Sequence, residues 1–156
     1  MTTYGEFTSV GESLKRHWSS HDVEINAGVS EEQLTLFEGE FGVVLPQDLR
    51  GYFLCVNGMP PEVVDDGMIR FWTLGEVKPL RQAAPDYSDS RYIKSPESVF
   101  LFSDYSMWAH AYAIRLGRIP MEHNEVVIIG YKSPMRVANS FSNFVNAYLT
   151  DKDLLH

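Results

Sequence analysis

The chain has 156 residues, 44% of them hydrophobic and 13% aromatic, which suits one domain with a buried core and excludes a disordered segment. Its 21 acidic and 13 basic residues give a formal charge of −8, which disfavours direct contact with phosphate backbones or anionic membrane. No apolar run approaches the ~20 residues that cross a bilayer, and Met1-Thr2-Thr3-Tyr4-Gly5-Glu6 lacks the basic and apolar stretches of a signal peptide, so a cytoplasmic location is expected.

In chain order, Phe7, Val10, Leu14 and Trp18 are spaced for one face of a helix over residues 4–18, with Gly11 weakening its middle by ~1 kcal/mol against alanine. A second helix is announced by Ser30 as cap, Gln33 three residues on, and Glu31 and Glu32 in the first turn, where the helix dipole favours negative charge. Leu34, Phe37 and Phe41 form its apolar stripe and Gly42 ends it. Pro46 suits the start of a third helix, in which Leu49, Tyr52, Phe53 and Val56 share a face and Asn57-Gly58 is the stop. After Pro60, Pro61, Asp65, Asp66 and Gly67 the period becomes strand-like. Residues 68–72, 99–102, 108–116 and 125–129 read as strands, with a helical turn at 74–77. The polar stretch 81–96 reads as an exposed loop. Ser140 caps a closing helix whose buried face is Phe141, Phe144, Val145, Tyr148 and Leu149. Helices first, then strands, then a helix predicts a single α+β domain over residues 1–156 with a mainly antiparallel sheet and helices packed around it.

The charge is concentrated. Between Asp22 and Asp66 ten acids face one base, Arg50, while the remainder carries 11 acids and 12 bases. Such a field steers basic partners, although it also serves simply to keep a surface soluble. Chemistry-bearing patterns are scarce. Cys55 is the only cysteine, so an internal disulfide and a thiolate metal cluster are excluded, and its apolar neighbours predict a small buried hydrophobe. His17 and His21 stand four apart, but no carboxylate at ligand spacing completes a metal site. His110 alternates with Trp108 and Tyr112 and reads as a half-buried histidine on a sheet face, and His123 as a loop residue. His156 is the remaining histidine. The chain contains neither the serine-elbow pattern G-x-S-x-G nor a glycine-rich phosphate cradle, and the adjacent Asp65 and Asp66 read as solvated loop carboxylates. No catalytic residue, cofactor or metal is assigned.

Taken together, Val29-Ser30-Glu31-Glu32-Gln33-Leu34-Thr35-Leu36-Phe37-Glu38, then Leu45-Pro46-Gln47-Asp48-Leu49, then Asn57-Gly58 resemble the SUKH superfamily, which includes the domain of a fungal cell-wall assembly regulator and many bacterial relatives. The strand Phe100-Leu101-Phe102-Ser103-Asp104, the segment Tyr112-Ala113-Ile114-Arg115-Leu116 and the late helix 139–149 fit the same pattern, so the likeness spans roughly residues 29–150, with no correspondence over 81–96. The resemblance implies an α+β fold and a binding role. Bacterial members are commonly immunity proteins that neutralise a toxin domain encoded beside them, often a nuclease, and the fungal members are regulators acting through protein contacts. The family has no shared catalytic residues to carry over. An immunity protein that is not an enzyme is therefore expected, binding a cognate basic nuclease toxin through an acidic surface, with no direct contact with nucleic acid or membrane. The alternatives are a regulatory scaffolding module and a small hydrolase with an unrecognised site. Candidate partner-binding residues are Asp65, Asp66, Asp86, Tyr87, Asp89, Tyr92, Asp104, Tyr105 and Trp108, with the aromatics as anchors. Lysine at Asp65, Asp66, Asp86 and Asp89 is expected to weaken binding without unfolding the domain.

Overall fold

Helix starts and stops written into the sequence set the frame. A computed structural model of the chain describes residues 3–89, 91–130, 134–151 and 155, with side chains from residue 10 onward. Phe7 of the expected first apolar stripe, Ser90 and His156 thus lie outside what is described. Helix α1 spans Thr3–Ser20, α2 Glu31–Phe41, α3 Gln47–Cys55, α4 Leu80–Ala83 and α5 Phe141–Thr150. The reciprocal cap of α2 forms: Ser30 Oγ accepts from Gln33 N at 3.2 Å, and Gln33 Oε1 accepts from Ser30 N at 2.9 Å. At its other end Gly42 takes a left-handed φ of 66° and its N–H reaches Glu38 O.

Among the described residues six strands form one antiparallel sheet: β1 Ile69–Phe71, β2 Lys78–Pro79, β3 Val99–Tyr105, β4 His110–Arg115, β5 Val126–Ile129 and β6 Met135–Ala138. Their order is β1-β3-β4-β5-β6, with β2 also paired to β3 beyond β1. Pleating sends Phe71, Phe100, Phe102, Tyr112, Ile114 and Ile128 toward the helices, where they meet Leu14, Trp18, Phe37, Tyr52, Phe141 and Phe144. The opposite face carries Trp72, Val99, Leu101, Ala111, Ala113, Val127 and Ile129.

That second face corrects the expectation for residues 81–96. They are not a freely exposed loop, because α4 and the turns after it lay Leu80, Ala84 and Ile93 on the reverse side of the sheet, each less than 10% exposed. Ala111 and Ala113 are small enough to let this cover approach closely, and burying a leucine or isoleucine there is worth about 1.5–3 kcal/mol per side chain. Trp108, expected within a strand, instead sits in the β3–β4 turn, and β2 and β6 join the sheet beyond the strands expected from periodicity.

The polar positions of the motif segments serve as joints. Glu38 Oε2 accepts from Leu45 N at 2.7 Å, and its other oxygen pairs with Arg50 at 3.0 Å, which fixes the connector between α2 and α3. Asp48 is buried; Oδ1 accepts from Leu49 N and Oδ2 from both Ser142 N and Ser142 Oγ, each at 2.8 Å, so the N-termini of α3 and α5 share one carboxylate. Asn57 Oδ1 accepts from Leu74 N at 2.7 Å. Gly58 is required twice over: its φ is 64°, and a Cβ there would lie 2.4 Å from Trp72 O. Replacing Asp48 with alanine strands these donors and is expected to lower the unfolding free energy by about 1–3 kcal/mol in urea titration, whereas exposed Gln47→Ala should stay within about 0.5 kcal/mol. Equal midpoints for the two variants would show the joint to be idle.

Candidate functional site

The expected surface residues divide into three groups. Asp65 belongs to the interior. It is 4% exposed; Oδ1 accepts from Gly67 N at 2.7 Å and Ile69 N at 2.9 Å, and Oδ2 accepts from the Tyr148 hydroxyl. Trp18 Nε1 donates in turn to Tyr148 at 2.7 Å, so Asp65 ties α1 and α5 to the turn before β1. Burial and the Asp65 charge together push the Tyr148 hydroxyl well above its ordinary pKa and keep it a donor. Asp65 is thus withdrawn from the expected contact set. Asp66, one residue on, is exposed.

Asp86, Tyr87, Asp89 and Tyr92 belong to the cover over the reverse face. The Tyr87 and Tyr92 rings lie 5.5 Å apart against the second core, and Tyr92 Oη accepts from Gly130 N at 3.1 Å. Asp86 and Asp89 are exposed, but Asp89 is compensated locally: it receives Arg91 N and Arg91 Nη2 at 2.8 Å, and these contacts hold its pKa below the usual carboxylate value.

Asp104, Tyr105 and Trp108 surround the β3–β4 turn. Adjacent strand residues point to opposite faces, so Tyr105 lies on the helical side, stacked 4.8 Å from His110, while Asp104 faces the reverse side. Asp104 is 6% exposed and accepts from Trp72 Nε1 at 2.6 Å. Trp108 is 42% exposed with its ring 5.6 Å from that of Trp72.

Asp104 and Trp108 open onto a groove of about 600 Å³ on the reverse face, walled by Val64, Met68, Trp72, Met107 and Trp108, with Glu62, Arg70, Glu76 and Lys78 joining Asp104 in its polar lining. Met107 is 77% exposed and Met68 43%. Among the described residues, seven non-glycine positions have positive φ, and five of them (Glu62, Met68, Ser106, Met107, Trp108) lie in or beside this groove. Each such conformation costs roughly 1–3 kcal/mol, and local strain of this kind collects at functional sites. Met68, Met107, Trp72 and Glu62 escaped sequence reasoning; the available signal was a methionine next to each turn bordering a strand.

One wall is held electrostatically. Arg70 donates to Met59 O, Pro60 O and Glu76 Oε1 at 2.7–3.0 Å, and Thr73 N adds a bond to the same glutamate oxygen. Burial opposes the charge on Glu76, but the Arg70 and Thr73 donors outweigh it and hold the pKa below the usual glutamate value.

None of the described histidines, nor Cys55, lines the groove. His17 and His21 have ring centroids 4.3 Å apart with the second bonded to the backbone of the first, and no group of three potential ligands occurs among the described residues. His110 is buried, 3.1 Å from Tyr112 Oη, and His123 is exposed. Cys55 is half-buried, and burial with the Glu12 contact raises its pKa, which favours the thiol. No described helix is long and apolar enough to cross a membrane.

An antiparallel sheet backed by helices, with motif carboxylates spent on joints and an apolar groove left open on the reverse face, defines an α+β domain. The chain belongs to the SMI1/KNR4 family (SUKH-1), whose family model matches residues 28–147. Membership is consistent with a protein-interaction module of the immunity type. A search of curated proteins returned no match.

Two expectations follow. Asp65→Lys buries an unpaired cation and should lower stability by more than about 3 kcal/mol, while exposed Asp86→Lys stays within about 0.5 kcal/mol, both read from urea unfolding; a stable Asp65→Lys variant would return that residue to the surface set. Glu76, with its lowered pKa, contributes stability that is complete above the ordinary glutamate range and lost as pH falls through the folded-state value. The stability gap between wild type and Glu76→Gln should therefore narrow on acidification; a gap constant from about pH 7 to about pH 3 would contradict the assignment.

Proposed function

We propose that this domain is an immunity protein that binds a cognate toxin domain, a basic nuclease, and blocks it by covering its substrate path with an acidic surface. The observation that carries the reading is the reverse-face groove, where exposed Trp108, Met107 and Met68 stand beside the carboxylates of Glu62 and Asp104. Apolar anchors supply affinity when desolvated, and the surrounding charge supplies steering and register. A nuclease presents cations to hold phosphate, so a chain of net charge −8 is attracted to the surface it must close. Asp66, Asp86 and Tyr87 extend the proposed contact around the groove, because Tyr87 packs against Gly130 beside the β3–β4 turn that carries Trp108. The proposal has the protein acting in the cytoplasm, without catalysis or cofactor.

The test is capture from source-cell lysate on the tagged chain, elution by stepped salt, and assay of what leaves. A basic domain that is toxic alone and silent with this chain is the expected product. In the Asp66→Lys/Asp86→Lys variant its association rate should fall about tenfold at low salt, with the difference shrinking as salt screens the field. Recovery of only non-toxic proteins would favour a regulatory scaffold in its place.

A further inference from the structure

We infer that the groove beside the exposed ring of Trp108 is a socket for a single arginine side chain of the bound partner, an inference that rests on the immunity reading and specifies its central contact. The starting point is Asp104. One carboxylate oxygen accepts from Trp72 Nε1 at 2.6 Å, and among the described residues nothing donates to the other, although the residue is only 6% exposed. The carboxylate lines the groove wall, so its second oxygen has acceptor capacity to offer a ligand there.

The cations nearby do not supply one. Arg70 is the cross-strand neighbour of Asp104, yet its side chain donates to Met59 O, Pro60 O and Glu76. Lys78 donates to Gly75 O and lies over the Phe41 ring. Asp104 therefore forms no ion pair with any described residue, and exposed Glu62 at the rim is likewise without one. The groove combines a half-used carboxylate acceptor, a rim carboxylate and an indole face open to solvent.

Guanidinium chemistry matches all three. Its plane stacks on an indole, its fork directs an N–H at a carboxylate oxygen beside that ring, and its methylene stem lies along methionine. An ammonium offers a point charge without the planar stack, so arginine is preferred to lysine. The left-handed run Ser106-Met107-Trp108 holds the Trp108 wall in place before the ligand arrives.

The probe is Nα-acetyl-arginine amide, titrated into the full chain while the three tryptophan indole N–H signals are followed by NMR. Trp72 and Trp108 should shift saturably, and Trp18, buried away from the groove, should stay still. Asp104→Asn keeps an acceptor for Trp72 but removes the charge, and should weaken binding about tenfold with the Trp18 signal unmoved. The lysine and citrulline amides should bind more weakly than arginine. Absence of saturable movement at Trp72 and Trp108, equal binding by the Asp104→Asn variant, or equal binding of citrulline would each overturn the socket. The two readings fail separately. A toxin silenced equally well by wild type, Asp104→Asn and Trp108→Ala overturns the socket and leaves immunity standing. Arginine amide seated in the groove of a chain that silences no toxin does the reverse.

Discussion

A sheet with two apolar faces needs two covers, and that requirement organises this molecule. In β3 and β4, Phe100 and Tyr112 look toward the helices while Leu101 and Ala113 look away. Helices α1, α2, α3 and α5 meet the first demand. Residues 80–96 meet the second with few apolar side chains, which suffices only because the reverse face is built partly from alanine. The cover reaches Trp72, and the groove beside Asp104 and Trp108 is the part of the face that it leaves open. The site is therefore a product of the fold's main constraint.

Three aspartates illustrate how burial is reconciled with charge. Asp48 and Asp65 each receive at least three hydrogen bonds, and each joins segments far apart in the chain. Their desolvation is offset inside the protein, and nothing remains for a partner. Asp104 receives one, from Trp72. The same residue type at similar depth is thus a fastener in two places and an open acceptor in the third. Of the ten acids between Asp22 and Asp66, Asp48 and Asp65 are buried and Glu38 is spent on Leu45 and Arg50, so the outward field is weaker than composition suggests.

Much of the scaffold was legible. The Ser30–Gln33 cap, the Gly42 terminus, the stop at Asn57-Gly58 and the aromatic stripe of α5 are local signals, and local signals survive folding. The cover over the reverse face was not legible, because Leu80, Ala84 and Ile93 are isolated among polar residues and follow neither a helical nor a strand period. The site was legible in part. Trp108 and Asp104 were singled out, but pleating sends Tyr105 to the other side, and Asp65 and Asp66 are adjacent identical residues with opposite fates. Tyr148, 83 residues away, is one of the groups that distinguish that pair, and a sequence window holds no trace of it.

The β3–β4 turn has a consequence for change over time. Trp108 and Met107 are presented by backbone conformation, with Ser106, Met107 and Trp108 all at positive φ, and their side chains contribute little to the cores on either face. New side chains at these two positions would be displayed at the same address without repacking the interior. The frame can stay fixed while the displayed surface drifts, so a lineage of such domains could follow a changing partner by rewriting a turn, leaving the joints at Glu38, Asp48, Asn57 and Gly58 untouched.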